Sequence, residues 1–312
     1  MNRVKKLSVI FVGLLIVSLA LHWIGNREKS SKVNKELFAV ADTTQIENIT
    51  IITEASTISI NREVPFWTLN GQYKVDPQLV YLSQRILSHV EVQRHVSKSN
   101  FEDIKNELKN SGSQVTINLK DGSEKQFYTG GNTAKTTAYF ANDDLTEIYI
   151  VTIPGYKSYL SGIFELSLNQ WRDRVLFSSS WRTIQQLKID YTSAKNQDLE
   201  IVFDGNFLAV KQVSQLDTAK LIEYLEPFEQ FQVNDYLDQG NFPRYDSLLG
   251  VEPLAILALK DIDTKKDQVL TIFPKIEGER FYLLTNKSSE MLVVDERRME
   301  RLLFDPSQFI RD

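Results

Sequence analysis

From Leu37 onward the chain is built of short runs in which apolar and polar residues alternate, broken by turn dipeptides and by stretches of helical period. Gln45–Ile51 and Thr57–Asn61 alternate and predict half-buried strands. Trp67–Leu69 predicts a third, ahead of the turn dipeptide Asn70-Gly71. Asp76-Pro77 reads as an N-cap followed by an N1 proline, and Leu79, Leu82, Ile86 and Val90 then fall on one helical face. Val92–Val96 reads as extended, and Phe101, Ile104 and Leu108 mark a short amphipathic helix. Gln114–Leu119 and Gln126–Tyr128 predict a hairpin about Asp121-Gly122, followed by strands at Thr137–Phe140 and Glu147–Val151. A helical stretch over Lys157–Leu166 closes this half.

The same order of element types then recurs. Ile184–Ile189 stands for Ile46–Ile51, Leu199–Ile201 for Ile58–Ile60, and Phe207–Val210 for Trp67–Leu69. Asp217 caps a helix carrying Leu221, Ile222 and Leu225, as Asp76 does, and Phe231–Val233 follows it. Ala255–Leu259 parallels Val115–Leu119. Val269–Phe273, Arg280–Leu284 and Met291–Val294 match the last three strands, and Arg297–Phe304 predicts a closing helix. The expectation is an α+β fold made of a tandem repeat of two mixed-sheet units, residues 37–165 and 182–304, with a joint at 166–181 and a tail at 305–312. The alternative is one irregular α+β domain with many short strands.

Ahead of this pattern lies a different one. Leu7–Ile24 carries no charge for eighteen residues and follows Arg3, Lys5 and Lys6. At helical rise it spans roughly 27 Å, enough for a bilayer core. Basic flanks stay cytoplasmic, and Trp23 sits where an indole suits the headgroup layer. Residues 1–26 are therefore expected to be a single-pass N-terminal transmembrane anchor in a bacterial inner membrane, with the rest periplasmic. A cleaved signal peptide competes, with Ser18-Leu19-Ala20 as its small residues, but the apolar run continues to Ile24. Residues 27–36 form a polar tether that reaches at most about 33 Å.

Composition narrows the partners. The chain has 312 residues and is 42% hydrophobic, enough for a real core. Residues 1–26 hold three basic and no acidic residues, which leaves 33 basic against 41 acidic, a net −8. That balance argues against nucleic acid and against an anionic lipid surface as the main partner. The absence of cysteine excludes disulfides, thiol catalysis, zinc–thiolate sites and a lipidated N-terminus.

Several constellations could carry chemistry, and each reads better as structure. His89 and His95 are six apart, a spacing that fits neither one helical face nor a short zinc motif. Ser178-Ser179-Ser180 has no nucleophile-elbow pattern around it. Thr129–Thr133 contains Gly130-Gly131, which could form an anion nest but lacks any phosphate-loop signature. Asp143-Asp144 and Asp261/Asp263 lack the calcium-loop pattern. Trp171-Arg172-Asp173-Arg174 is the candidate interface at the joint: Asp173 between two arginines invites ion pairing, with Trp171 and Trp181 packed beside it. No catalytic, metal or cofactor residue is assigned.

Trp67-x-Leu69 before a capped helix, Tyr128-Thr129-Gly130, Ile148–Val151, the Arg172–Arg174 segment and Leu249-Gly250-Val251-x-Pro253 together resemble the bacterial domain-of-unknown-function 4340 family. The first half departs from the pattern at Leu108–Gln114, which lacks a clean Leu-Gly-x-x-Pro turn. The resemblance implies a membrane-anchored accessory envelope protein. Its relatives are often encoded beside an ATP-driven permease of the gliding-associated type and a large exported partner. The function expected is a non-enzymatic extracytoplasmic scaffold whose partners are the bilayer, through residues 7–24, and transporter subunits. The alternatives are an envelope hydrolase using dispersed carboxylates on glycan or peptide, and a sensor that clamps a small ligand between the repeats.

Overall fold

A computed structural model describes residues 18, 33–193, 197–303 and 306–310. Apart from Ser18, the predicted anchor from Leu7 to Ile24 lies outside the described residues. Among the described residues no helix is long and apolar enough to cross a membrane.

The chain is a mixed α/β protein dominated by antiparallel sheet. The first nine strands are β1 (Ile46–Ile52), β2 (Thr57–Glu63), β3 (Phe66–Leu69), β4 (Tyr73–Lys74), β5 (Glu91–His95), β6 (Ser113–Leu119), β7 (Glu124–Gly131), β8 (Ala138–Ala141) and β9 (Ile148–Thr152). They form one sheet in the order β4-β3-β2-β1-β6-β7-β8-β9-β5. Helices α1 (Pro77–His89) and α2 (Phe101–Ser111) interrupt them. Then come α3 (Leu168–Trp171) and β10 (Val175–Phe177).

The second series is β11 (Ile184–Tyr191), β12 (Leu199–Phe203), β13 (Leu208–Val210), helix α4 (Thr218–Leu225), β14 (Phe231–Gln232) and β15 (Asp235–Leu237). It continues with the short α5 (Pro243–Asp246), β16 (Ala255–Asp261), β17 (Gln268–Ile272), β18 (Phe281–Thr285), β19 (Met291–Asp295) and α6 (Glu296–Glu300). Its sheet runs β13-β12-β11-β16-β17-β18-β19-β15, while β10 and β14 pair separately.

The chain divides into two compact units. The first takes in residues up to Ile46, Ile51–Glu54 and Ser83–Glu165. The second comprises Glu47–Thr50, Ala55–Leu82 and the chain from Leu166 onward.

The first unit is cored by aromatics. Phe127 and Phe140 stack with centroids 4.8 Å apart, and the ring edges of Phe38 and Phe164 close on the stack. Phe127 and Phe140 alternate inward from adjacent antiparallel strands, which brings rings within stacking range. Lys125 is drawn over this core, its ammonium donating to the carbonyls of Leu37 and Ala39. Burial lowers its pKa.

The second unit buries Leu187, Ile189, Leu199, Ile201, Leu257 and Leu270 together with Leu221 and Leu225 of α4. Helix α4 starts where its cap residue places it: the Asp217 carboxylate accepts from the N–H groups of Ala219 and Lys220.

The alternation is not strict everywhere. Ile46, Ile49 and Ile51 are buried in β1, and Ile184, Leu187 and Ile189 in β11, so each strand has a three-residue step before a two-residue one. In β11 the register against β16 shifts between Ile184 and Gln186, a bulge that returns both isoleucines to the core face.

Three expected elements differ. The stretch Lys157–Leu166 holds only a 3-10 segment, Leu160–Glu165, whose Leu160, Ile163 and Phe164 are buried at 3-10 spacing. Phe231–Gln232 does not join the second sheet. It pairs with Val175–Phe177, and Asp235–Leu237 takes the edge position beside β19. Helix α6 runs over Glu296–Glu300, and Phe304 lies outside the described residues.

Candidate functional site

The segment Trp171–Arg174 is positioned by backbone pairing before any side chain acts. Ser167 starts α3 with a reciprocal capping box: its hydroxyl accepts from the Gln170 N–H, and the Gln170 side chain accepts from the Ser167 N–H. The helix is a single turn, and the chain leaves it extended at Arg172. The Asp76 N–H donates to the Trp171 carbonyl at 2.9 Å, and the Asp173 N–H donates to the Lys74 carbonyl at 2.9 Å. Arg172 thus lies in an antiparallel bridge with Val75. On the other side, the Val233 N–H donates to the Arg174 carbonyl.

This backbone frame delivers the Arg172 side chain between two tyrosines. Its guanidinium carbon stands 3.9 Å from the Tyr73 ring centroid and 3.6 Å from that of Tyr236. Both rings lie well inside the range in which an aromatic face attracts a cation, at about 0.5–2 kcal/mol each. The charge is met by Glu290, whose carboxylate accepts from Nη2 at 2.8 Å. Glu290 is itself held by Asn286, whose amide donates to the second carboxylate oxygen at 2.8 Å. The Arg172 side chain is only 9% exposed, against 25% for Glu290, so the cation is the group that depends on the arrangement. Burial pushes the Tyr236 phenol up to about 12, with the Arg172 guanidinium pulling the other way. The phenol therefore stays neutral and donates to the Asp173 carbonyl at 2.8 Å.

Arg172 does not pair with its expected partner. Asp173 binds neither neighbouring arginine: its carboxylate accepts from the Val175 N–H at 3.0 Å. Successive side chains on extended backbone point to opposite sides, so adjacency in sequence separates the two charges rather than joining them. Trp171 is fully buried, with its indole N–H unpartnered. The Arg174 Nε is likewise buried without a hydrogen-bond partner. Trp181 packs on Phe207, at a centroid distance of 5.9 Å, and carries Arg182 over its ring. Tyr73, Tyr236 and Glu290 had no local sequence signal: each is an unremarkable residue in a short strand or turn, and only the fold brings them to position 172.

The other constellations are occupied structurally. The His89 ring nitrogen contacts the Ser88 hydroxyl and the Arg85 carbonyl, and the His95 ring packs against Tyr149. Among the described residues no group of His, Asp and Glu is arranged to hold a metal ion. Gly130 and Gly131 end β7 rather than forming a nest. A Cβ on Gly131 would stand 2.2 Å from the Tyr159 ring and 2.6 Å from the Thr137 carbonyl, which explains the absence of a side chain. The Ser161 hydroxyl fills the space beside them, donating to the Gly130 carbonyl and accepting from Thr129.

Ser179 is buried beside Asp261; its N–H donates to the Phe228 carbonyl at 2.8 Å, while its hydroxyl makes no well-formed hydrogen bond. Its neighbour is a carboxylate, not an imidazole. Burial alone would raise Asp261. The adjacent Ser179 hydroxyl, hydrogen bonds from the Thr183 hydroxyl and the Asp263 N–H, and Lys266 nearby bring it below its ordinary value. The hydroxyls of Ser123 and Thr146 likewise hold down the exposed Asp121 and Asp144. A depression of about 580 Å³ is lined by Lys220, Glu223, Arg297, Glu300 and Arg301, which mix both signs of charge.

No curated protein and no solved structure matches the chain. Residues 67–248 match the family described as Domain of unknown function (DUF4340). The match takes in Trp67–Leu69, Tyr128–Gly130, Ile148–Val151 and the Arg172–Arg174 segment, and stops just short of Leu249–Pro253. A match over more than half of the chain places it in a family: the protein belongs to the DUF4340 family.

Proposed function

We propose that this protein is a non-enzymatic, membrane-anchored scaffold of the bacterial envelope, held by residues 7–24 in the inner membrane with its folded part outside, and that it serves a transport complex. The observation that carries this reading is the use made of the buried Arg172. Arg172 is enclosed by two rings and neutralised by a fixed carboxylate, an arrangement that locks a structure. The shifted carboxylates Asp121, Asp144 and Asp261 support it too. Hydrogen bonds hold them down, whereas a general acid needs a raised pKa.

The reading includes an internal duplication of residues 37–165 and 182–304. The strand orders β3-β2-β1-β6-β7-β8-β9-β5 and β13-β12-β11-β16-β17-β18-β19-β15 agree place by place, which supports it. So does the shared three-then-two burial step in β1 and β11. A scaffold gains contact surface from such doubling, since each sheet offers edges at which a partner's strand can add.

The test is affinity purification of the full-length chain from solubilised membranes. A stoichiometric envelope partner that includes a permease component is expected. Recovery of the chain alone, after cross-linking and across several detergents, would count against the scaffold reading.

A further inference from the structure

The two sheets place a hairpin at corresponding positions, and the two tips differ in chemistry. The β12–β13 tip is Asp204-Gly205-Asn206-Phe207, closed by the pair Phe203 and Leu208, and the Asp204 carboxylate accepts from the N–H groups of Asn206 and Phe207. It is the ordinary chemistry of a solvated turn. The β2–β3 tip is Val64-Pro65, closed by the pair Glu63 and Phe66. Val64 is 86% exposed and Phe66 58%. No turn hydrogen bond needs these side chains, and water is the environment they suit least.

Around this apolar point stands a ring of amphipathic groups. The Arg62 guanidinium lies 5.9 Å from the Trp67 ring centroid, and the Lys74 ammonium 5.3 Å from that of Phe66. An aliphatic and aromatic apex, an indole behind it and long cations beside the rings make up the sequence of chemistries met on passing from acyl chains to headgroup phosphates. The local balance suits such a surface: Arg62 and Lys74 outnumber Glu63, although the chain beyond residue 26 is net acidic.

We propose that the β2–β3 hairpin tip inserts Val64, Pro65 and Phe66 into the outer face of the lipid bilayer. This rests on the anchored reading above, in which the tether of residues 27–36 keeps Leu37, where the folded part begins, at most about 33 Å from that surface. The anchor then fixes where the protein is, and the tip restricts how it is turned.

The chain contains no cysteine, so Val64→Cys creates a single labelling site and Asn206→Cys a matched reference on the polar tip. Each full-length variant is labelled with an environment-sensitive fluorophore and reconstituted into vesicles of phosphatidylethanolamine and phosphatidylglycerol. Both are expected to float with the lipid. The probe at position 64 should emit further to the blue than the probe at 206, and lipids with nitroxide in the acyl chain should quench it. Adding Phe66→Ser should reduce that quenching without changing flotation. Flotation with a water-like probe at 64 overturns insertion and leaves the anchor standing. Failure to float overturns both. Quenching unchanged by Phe66→Ser means that the label inserts by itself, and also overturns the proposal.

Discussion

Replacing Arg172 with alanine is expected to lower the stability of the folded part by about 3 kcal/mol, the range for breaking a buried ion pair. Two ring contacts at 3.9 and 3.6 Å and one charged hydrogen bond at 2.8 Å disappear together. Tyr73 and Tyr236 are left facing a void the width of a guanidinium. Glu290 keeps a quarter of its side chain in water and can rehydrate, so the loss falls at the lower end of what a fully buried pair would cost. Arg172→Lys should recover less than half, because an ammonium cannot fill a planar slot between two rings. Denaturant midpoints on the purified chain check this. A shift for Arg172→Ala no larger than that of an exposed arginine such as Arg244→Ala would show that the clamp holds nothing.

Phe140→Ala is expected to cost about 3–5 kcal/mol, by lost transfer energy and an unfilled cavity together. Phe140 is fully buried, stacked on Phe127 at 4.8 Å and edged by Phe38 at 5.4 Å. The stacked rings sit on paired strands, which cannot slide inward without breaking the β7–β8 register at Thr129 and Phe140. Phe140→Leu keeps most of the volume and should cost about 1.5 kcal/mol or less. Equal effects of the two substitutions on the unfolding midpoint would mean that ring packing is not what holds this core.

Local patterns made most of the strands readable and left the clamp unreadable. Period-two alternation located β2, β6 and β16, and Asp121-Gly122 located the turn between β6 and β7, because both signals are set by residues within a few positions of one another. Asp76-Pro77 and Asp217 marked their helices for the same reason. Elements decided by distant packing were missed. The single turn at Leu168–Trp171 has too few residues for a period, and only its Ser167–Gln170 box announces it. The segment Phe231–Val233 has the same apolar content as a sheet strand, and competition between β10 and the second sheet decides its place. Arg172 finds its carboxylate 118 positions away, and no spacing rule connects residues 73, 172, 236 and 290. The family resemblance rested on dispersed residues, and the matched span of 67–248 covers most of them.

The central claim is that the chain is held in a membrane with its folded part outside. The most direct test is to label the exposed Asn206→Cys variant in bacterial spheroplasts with a membrane-impermeant maleimide and then extract the membranes with carbonate. The account predicts labelling of intact spheroplasts and a labelled chain that stays in the membrane pellet. Labelling that appears only after the spheroplasts are permeabilised would contradict it.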